Sequence, residues 1–203
     1  MIVIIDYGMG NLRSVQKGFE KVGFEARVSS DPEVIYQASK VVFPGVGAFG
    51  DAMLELEKRD LLDPIKDSIK NGKPFLGLCL GLQLLFTKSF EGGEYKGLGI
   101  FKGEVKRFSD KLKVPHMGWN TVKFKAQNSK CKIFDGVPDG SYFYFVHSYY
   151  AEPQDRPIVA GATDYGMEFV CAVCKDNIYG LQFHPEKSQE LGLKILENFA
   201  KLC

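Results

Sequence analysis

Long apolar runs are missing from this chain of 203 residues. None approaches the roughly 20 residues that a membrane-spanning helix needs. The first residues, Met-Ile-Val-Ile-Ile-Asp, lack the basic segment and small-residue cleavage site of a secretory leader, and read as a strand. No charge of one sign dominates. Lys and Arg number 26 against 25 Asp and Glu, a formal net charge of +1, so composition suggests neither a nucleic-acid nor a membrane partner. No internal repeat, low-complexity tract or linker breaks the chain, and one domain over residues 1–203 is expected. Five cysteines, odd in number and irregularly spaced, do not make a disulfide framework. Free thiols in a reducing, cytoplasmic setting are the expectation. A phosphate-binding loop is also lacking. Gly8-Met-Gly-Asn opens a helix but has no following lysine and hydroxyl.

What is present is an ordinary globular balance, 45% hydrophobic and 25% charged, enough for a sizeable core. In the first half, short apolar runs alternate with helical periodicity. Ile2–Ile5, Val41–Phe43 and Phe75–Leu78 read as buried strands. Asn11 is placed to cap a helix with Leu12, Val15, Phe19 and Val22 on one face, stopped by Gly23. Asp31-Pro32 starts another. Residues 49–70 read as helical with an interruption at 60–64, and Gly81–Phe86 as a helix directly after a strand. This alternation predicts a parallel sheet with helices on both faces. The second half is strand-like: 100–108, 121–124, 142–150, 158–163 and a hairpin turning at Asp176-Asn177. Hairpins are antiparallel, so an α/β fold with a mixed, mostly parallel sheet is expected. Ser188 is placed to cap a last helix that turns Leu191, Ile195, Leu196 and Phe199 inward.

The sharpest chemical signal is Phe75-Leu-Gly-Leu-Cys79-Leu-Gly-Leu. A strand running through Gly-x-Cys-x-Gly into a helix is the cysteine form of a nucleophile elbow. Glycines two residues either side let strand and helix approach closely. The sulfur then sits at a helix start, whose partial positive charge favours a thiolate, and the Leu80 N–H points toward an oxyanion. A thiol nucleophile needs a base, and the chain has three histidines: His116, His147 and His184. His184 ends an apolar strand, and Glu186 follows two positions later, on the same side of an extended segment. His147 ends another strand but has no acid two residues on, so it reads as structural or substrate-lining. Cys171-Ala-Val-Cys174 has metal or redox spacing, but in a strand its two thiols should face opposite sides, which favours a structural role. Cys131 and Cys203 carry no evident chemistry.

Gly77-Leu-Cys79-Leu-Gly-Leu-Gln83 together with Phe183-His184-Pro-Glu186 resembles the class I (triad) glutamine amidotransferases. Further resembling segments are Asp6–Asn11, Pro44–Asp51, Gly97–Glu104, Pro115–Asn120, Tyr144–Tyr149 and Gly180–Ser188, so the likeness spans nearly the whole chain. The resemblance implies a flavodoxin-like domain and a triad of Cys79, His184 and Glu186. It implies an oxyanion strand at Gly45, Val46 and Gly47, whose Gly45–Val46 peptide flips. Gln83, Ser148 and Tyr149 match positions that hold glutamine; threonine is also expected at 148, and serine keeps its hydroxyl. Asn11, Trp119, Tyr144 and Lys187 match positions at a partner interface. That partner is a (β/α)₈-barrel cyclase that uses the ammonia in histidine biosynthesis; no cofactor or metal is implied. Three alternatives stay open: a paralogue supplying a sugar-modifying or pyridoxal-phosphate synthase, against whose pyridoxal form Pro115–Asn120 argues, a cysteine hydrolase, and a catalytically dead binding module.

Overall fold

The computed structural model describes residues 1–125 and 131–202. The chain opens with β1 (Ile2–Ile5), α1 (Leu12–Lys21), β2 (Ala26–Ser29), α2 (Pro32–Tyr36) and β3 (Lys40–Gly45). Then come α3 (Phe49–Lys58), α4 (Leu62–Lys70), β4 (Phe75–Cys79) and α5 (Leu80–Leu84). The second half is β5 (Phe86–Ser89), β6 (Tyr95–Lys96), β7 (Phe101–Arg107), β8 (His116–Phe124), β9 (Ser141–His147), β10 (Tyr149–Pro153), β11 (Val159–Asp164), β12 (Glu168–Lys175) and β13 (Ile178–Leu181). The closing helix is α6 (Gln189–Lys201).

One mixed sheet runs in the order β2-β1-β3-β4-β13-β12-β10-β7-β5-β6, with β11, β8 and β9 continuing off β12. From β2 to β13 every pairing is parallel. Beyond β13 the pairings are antiparallel except β5 with β7. Both faces of the parallel part are buried. Ile2 and Ile4 join Phe19, Phe183 and Phe199 on one side, while Val3 and Ile5 join Phe43, Ile65 and Leu82 on the other. This is the α/β architecture expected from the alternation of apolar strands and amphipathic helices.

Several local expectations need correction. Asn11 and Ser188 stand at helix N-caps, but neither side chain accepts a backbone N–H of its own helix. Asn11 takes the Ser14 hydroxyl instead, at 2.8 Å. Ser188 Oγ accepts from the Tyr144 N–H at 3.0 Å and donates to the His184 carbonyl at 2.6 Å, tying β9 to the segment after β13. Asp31 does cap α2, through the Glu33 N–H at 2.9 Å. The helix after Cys79 is shorter than expected, because Phe86 already belongs to β5. The run 142–150 is two strands broken at Ser148: β9 pairs with β8, and β10 returns to the main sheet beside β7 and β12.

Cys171 and Cys174 face the same side, not opposite sides. Cys171, Ala172 and Cys174 lie in one core cluster, with Val170 and Val173 in the other. The register against β11 slips between Gly161–Ala172 and Ala162–Val170. That bulge at Cys171 breaks the alternation, which simple period-two reasoning cannot anticipate. Burial pushes the Cys171 thiol up to about 12. Cys131 lies against Cys174, and that neighbour, then burial, pushes its thiol upward. Among the described residues Cys79, Cys131, Cys171 and Cys174 are free thiols; Cys203 lies outside the described residues.

Candidate active site

The elbow follows from steric limits. Cys79 has φ +53° and ψ −108°, a conformation L-residues rarely adopt. A Cβ on Gly81 would stand 1.8 Å from the Phe43 carbonyl oxygen, and one on Gly77 would stand 2.9 Å from the Gly81 oxygen. Only glycine lets α5 sit this close to β3 and β4. The turn lifts the Cys79 sulfur to the carboxyl end of the parallel strands, where open α/β sheets place ligands.

β13 lies parallel beside β4, with Leu181 level with Leu78. Three residues beyond it, His184 stands at the next strand end, where Cys79 acts on its ring. His184 Nδ1 is 2.8 Å from Glu186 Oε1, with side chains 5% and 1% exposed. The two meet through a short 3₁₀ turn over Pro185–Lys187, rather than along an extended strand as expected. Helix α1 covers the pair. A Cβ on Gly18 would stand 2.7 Å from Leu196 Cδ1, so glycine lets α1 pack closely on α6 beside Glu186. Burial alone would lower the His184 imidazole. Hydrogen bonding to Cys79 and Glu186 and the charges of both outweigh it, and push it up to about 10. His184 Nε2 nevertheless has no partner in hydrogen-bonding geometry. Thiol and imidazole interact but are not aligned, as is common in unliganded sites.

A cavity of about 280 Å³ opens over the sulfur, a size suited to a small polar ligand. Val46, Gly47, Leu80, Gln83, Ser148 and Tyr149, all expected at the site, line it with Cys79. Gly45 lines a second, smaller cavity with Val46, Asn11, His184 and Glu186. Gly45 pairs in register with Cys79, so the Gly45–Gly47 backbone runs alongside that residue. Gly47 takes φ +97°.

His147 lines the same cavity but is fully engaged. Its Nδ1 is 2.8 Å from the Tyr149 carbonyl and its Nε2 is 3.0 Å from His116 Nδ1. A carbonyl only accepts, so Nδ1 of His147 carries the proton and Nε2 accepts from His116. Asn120 in turn donates to His116 Nε2 at 3.2 Å. Burial lowers His116 to about 4 and, with the charges of His116 and His184, lowers His147 to about 3. Both rings are therefore neutral at physiological pH.

Three nearby residues escaped the sequence reasoning. Glu91 lines the cavity mouth and accepts the Phe49 N–H at 2.8 Å; burial, foremost, raises its carboxyl. Tyr7 is buried with no partner for its hydroxyl. Burial, then the charge of Cys79, pushes its phenol far up. Gln182 contacts the sulfur directly, its Nε2 3.6 Å from Cys79 Sγ. Tyr7 and Gln182 had a signal, lying in the resembling segments Asp6–Asn11 and Gly180–Ser188, while Glu91 had none.

On the opposite side of β8 and β9, Trp119 and Tyr144 are cross-strand partners with ring centroids 6.1 Å apart. Lys187 lies over Tyr144 at 5.7 Å. Trp119 is 46% exposed, beside Met117 at 65% and Tyr142 at 61%. Three of the four expected interface residues thus group together, while Asn11 lines the small cavity with Val46, His184 and Glu186. Among the described residues no cluster of His, Cys, Asp or Glu could hold a metal ion, and no helix is long and apolar enough to cross a membrane.

The family model described as glutamine amidotransferase class-I matches residues 3–203. The chain belongs to this family. The amidotransferase is 56% identical to an imidazole glycerol phosphate synthase subunit HisH of Geobacter metallireducens, over 98% of this chain and 97% of the relative. It is 54% identical to the subunit of that name from Aquifex aeolicus, over 98% and 95%. Among solved structures, PurLQS from Thermotoga maritima superposes with a TM-score of 0.77 at 20% identity, covering 98% of this chain and 96% of that one. A structure described as glutamine amidotransferase superposes with a TM-score of 0.73 at 16% identity over the whole of both chains. At such identities these two speak for the fold alone.

Proposed function

We propose that this chain, as one domain over residues 1–203, is the glutaminase subunit of an imidazole glycerol phosphate synthase. In this reading it hydrolyses glutamine to glutamate and passes ammonia to a (β/α)₈-barrel cyclase subunit. That partner makes imidazole glycerol phosphate and aminoimidazole carboxamide ribotide in histidine biosynthesis. The observation that carries the chemistry is the strained Cys79 elbow beside the buried His184–Glu186 pair, under a cavity for one small ligand. High identity to HisH subunits over almost the full length supports the choice of partner.

Glutamine enters with its side-chain amide over Cys79. Gln83, Ser148 and Tyr149 line its berth, and the Glu91 carboxylate at the mouth suits its ammonium group. The sulfur adds to the amide carbon, and the oxyanion is met by the Leu80 N–H, which has no intrahelical partner at the start of α5. A flip of the Gly45–Val46 peptide adds the Val46 N–H. Each such donor lowers the barrier by about 3–4 kcal/mol. Protonated His184 gives its proton to the leaving nitrogen, and ammonia departs. Water, activated by the neutral ring, then hydrolyses the thioester while Glu186 holds the imidazole in one tautomer. Trp119, Tyr144 and Lys187 form the face that docks the cyclase, with Asn11 linking it to the oxyanion strand. Free thiols at Cys131 and Cys174, which lie against each other, agree with a cytoplasmic setting.

The test is complementation of an auxotroph lacking the histidine-pathway glutaminase subunit, paired with glutamate release by the purified chain with its cyclase. Wild type should restore growth and Cys79→Ala should not. Undiminished glutamate release by Cys79→Ala removes the mechanism. Failure to complement despite glutamine hydrolysis removes the assigned partner.

A further inference from the structure

No step above uses Gln182, yet its side chain touches the reacting sulfur. Gln182 is completely buried, and its backbone N–H is pinned to the Cys171 carbonyl at 2.8 Å. Its Nε2 lies 3.6 Å from Cys79 Sγ. Which end of the amide faces the sulfur is fixed by the neighbours. Gln83 is 3.0 Å from the Tyr149 carbonyl, which only accepts, so Gln83 presents its NH₂ there. The other N–H of that NH₂ meets Gln182 at 3.0 Å, so Gln182 offers its oxygen to Gln83. Its own NH₂ is left facing Cys79. The Val146 carbonyl also lies 3.9 Å from the sulfur. That oxygen can accept an S–H, but it repels a thiolate.

Building on the glutaminase reading, we infer that Gln182 is a catalytic residue whose amide N–H stabilises the Cys79 thiolate as the leaving group of thioester hydrolysis. In that step water adds to the thioester carbonyl and gives a proton to His184 Nε2. The tetrahedral intermediate collapses, the C–S bond breaks and its electron pair returns to sulfur. Glutamate leaves with the new C–O bond. A thioester sulfur is a weak acceptor and a thiolate a strong one, so the Gln182 bond strengthens along this step. The same bond favours the thiolate of the free enzyme. The Gln83–Gln182 link joins the substrate berth to the nucleophile, which keeps the donor aimed while ligands exchange.

The test compares wild type with Gln182→Met, which deletes the donor, and Gln182→Glu, which keeps shape but replaces the donor with an acceptor. With cyclase and glutamine, both variants should lose about 10- to 100-fold in kcat, the range expected for a hydrogen bond to a charged group. Covalent γ-glutamyl enzyme should accumulate in quenched turnover, read by mass spectrometry. Without glutamine or partner, the pH profile of Cys79 alkylation by iodoacetamide should move to higher pH. Should the Met variant not fold, as judged by circular dichroism, the Glu variant carries the test. Wild-type-like kcat, or a loss of rate with no covalent intermediate and an unmoved alkylation profile, overturns the inference. The alkylation profile needs no glutamine. A wild-type chain that releases no glutamate would sink the glutaminase reading, while a shifted profile would still establish the Gln182 contact.

Discussion

The tightest constraint on the site is the His184–Glu186 pair, and Glu186→Gln measures it. The carboxylate is buried and 2.8 Å from the ring. Glutamine keeps an oxygen for His184 Nδ1 but removes the charge. A hydrogen bond involving a charged partner contributes about 1.5–3 kcal/mol and a neutral one about 0.5–1.5 kcal/mol. The imidazolium therefore loses about 1–1.5 kcal/mol of support, which is about one pKa unit at about 1.36 kcal/mol per unit. Against burial, hydrogen bonding and charge from Cys79 and then Glu186 push the native ring up to about 10. The sign for stability follows. The folded value lies above the ordinary 6.5, so this stabilisation is fully present below about 6.5 and is lost as pH rises through about 10. In the variant the loss should be complete about one unit earlier. The assay is the His184 Cε1–H proton resonance followed from neutral to strongly alkaline pH. With three histidines in the sequence, the assignment is simple. Glutamine hydrolysis should also fall about tenfold. An unmoved His184 midpoint would refute the claim that the carboxylate charge reaches the ring.

Other consequences are open to measurement. Ser188→Ala orphans the Tyr144 N–H and removes one of two donors to the His184 carbonyl; it should cost about 2 kcal/mol, and thermal unfolding should show Tm lower by roughly 4–8 °C. The neutral pair His116 and His147, lowered to about 4 and about 3, contributes stability that is present above about 6.5 and lost as pH falls toward those values. Tm should therefore drop between pH 6.5 and 4, and His147→Gln should flatten that slope. Trp119→Ala, on the exposed ribbon, should weaken cyclase binding by about 2 kcal/mol or more in calorimetry and leave Tm unchanged.

Much of this arrangement is written in local pattern. The elbow was legible because glycines at 77 and 81 answer a local steric demand, and the collision distances at both positions show that demand directly. Asp31-Pro32 was legible for the same reason. Long-range geometry was not. Ser188 was read as a cap because its neighbours in sequence suggested one, but its hydroxyl is claimed by Tyr144, 44 residues away. Cys171 and Cys174 were misplaced because a bulge depends on the partner strand, which no window on β12 contains. Glu91 carries no motif of its own. It enters the site only because β5 ends beside it.

The distribution of unsatisfied polar atoms explains why the site is built this way. Among the described residues, the buried side-chain atoms without a partner are Tyr7 Oη, Ser68 Oγ, Thr163 Oγ1, His184 Nε2 and Glu186 Oε2. Three of the five belong to residues grouped around Cys79, and each such atom costs about 1–3 kcal/mol. A sheet with both faces otherwise packed can bear that cost locally. In the proposed mechanism His184 Nε2 stays open for the proton it gives to the leaving nitrogen and then takes from water. Tyr7 Oη is open beneath Gly45, where an added Cβ would stand 2.4 Å from it, so side chains larger than hydrogen are excluded at that point beside Cys79. In that mechanism the fold spends stability where bonds form during turnover. The neutral chain from Asn120 through His116 and His147 to the Tyr149 carbonyl is satisfied at every link, because its task is to stay still.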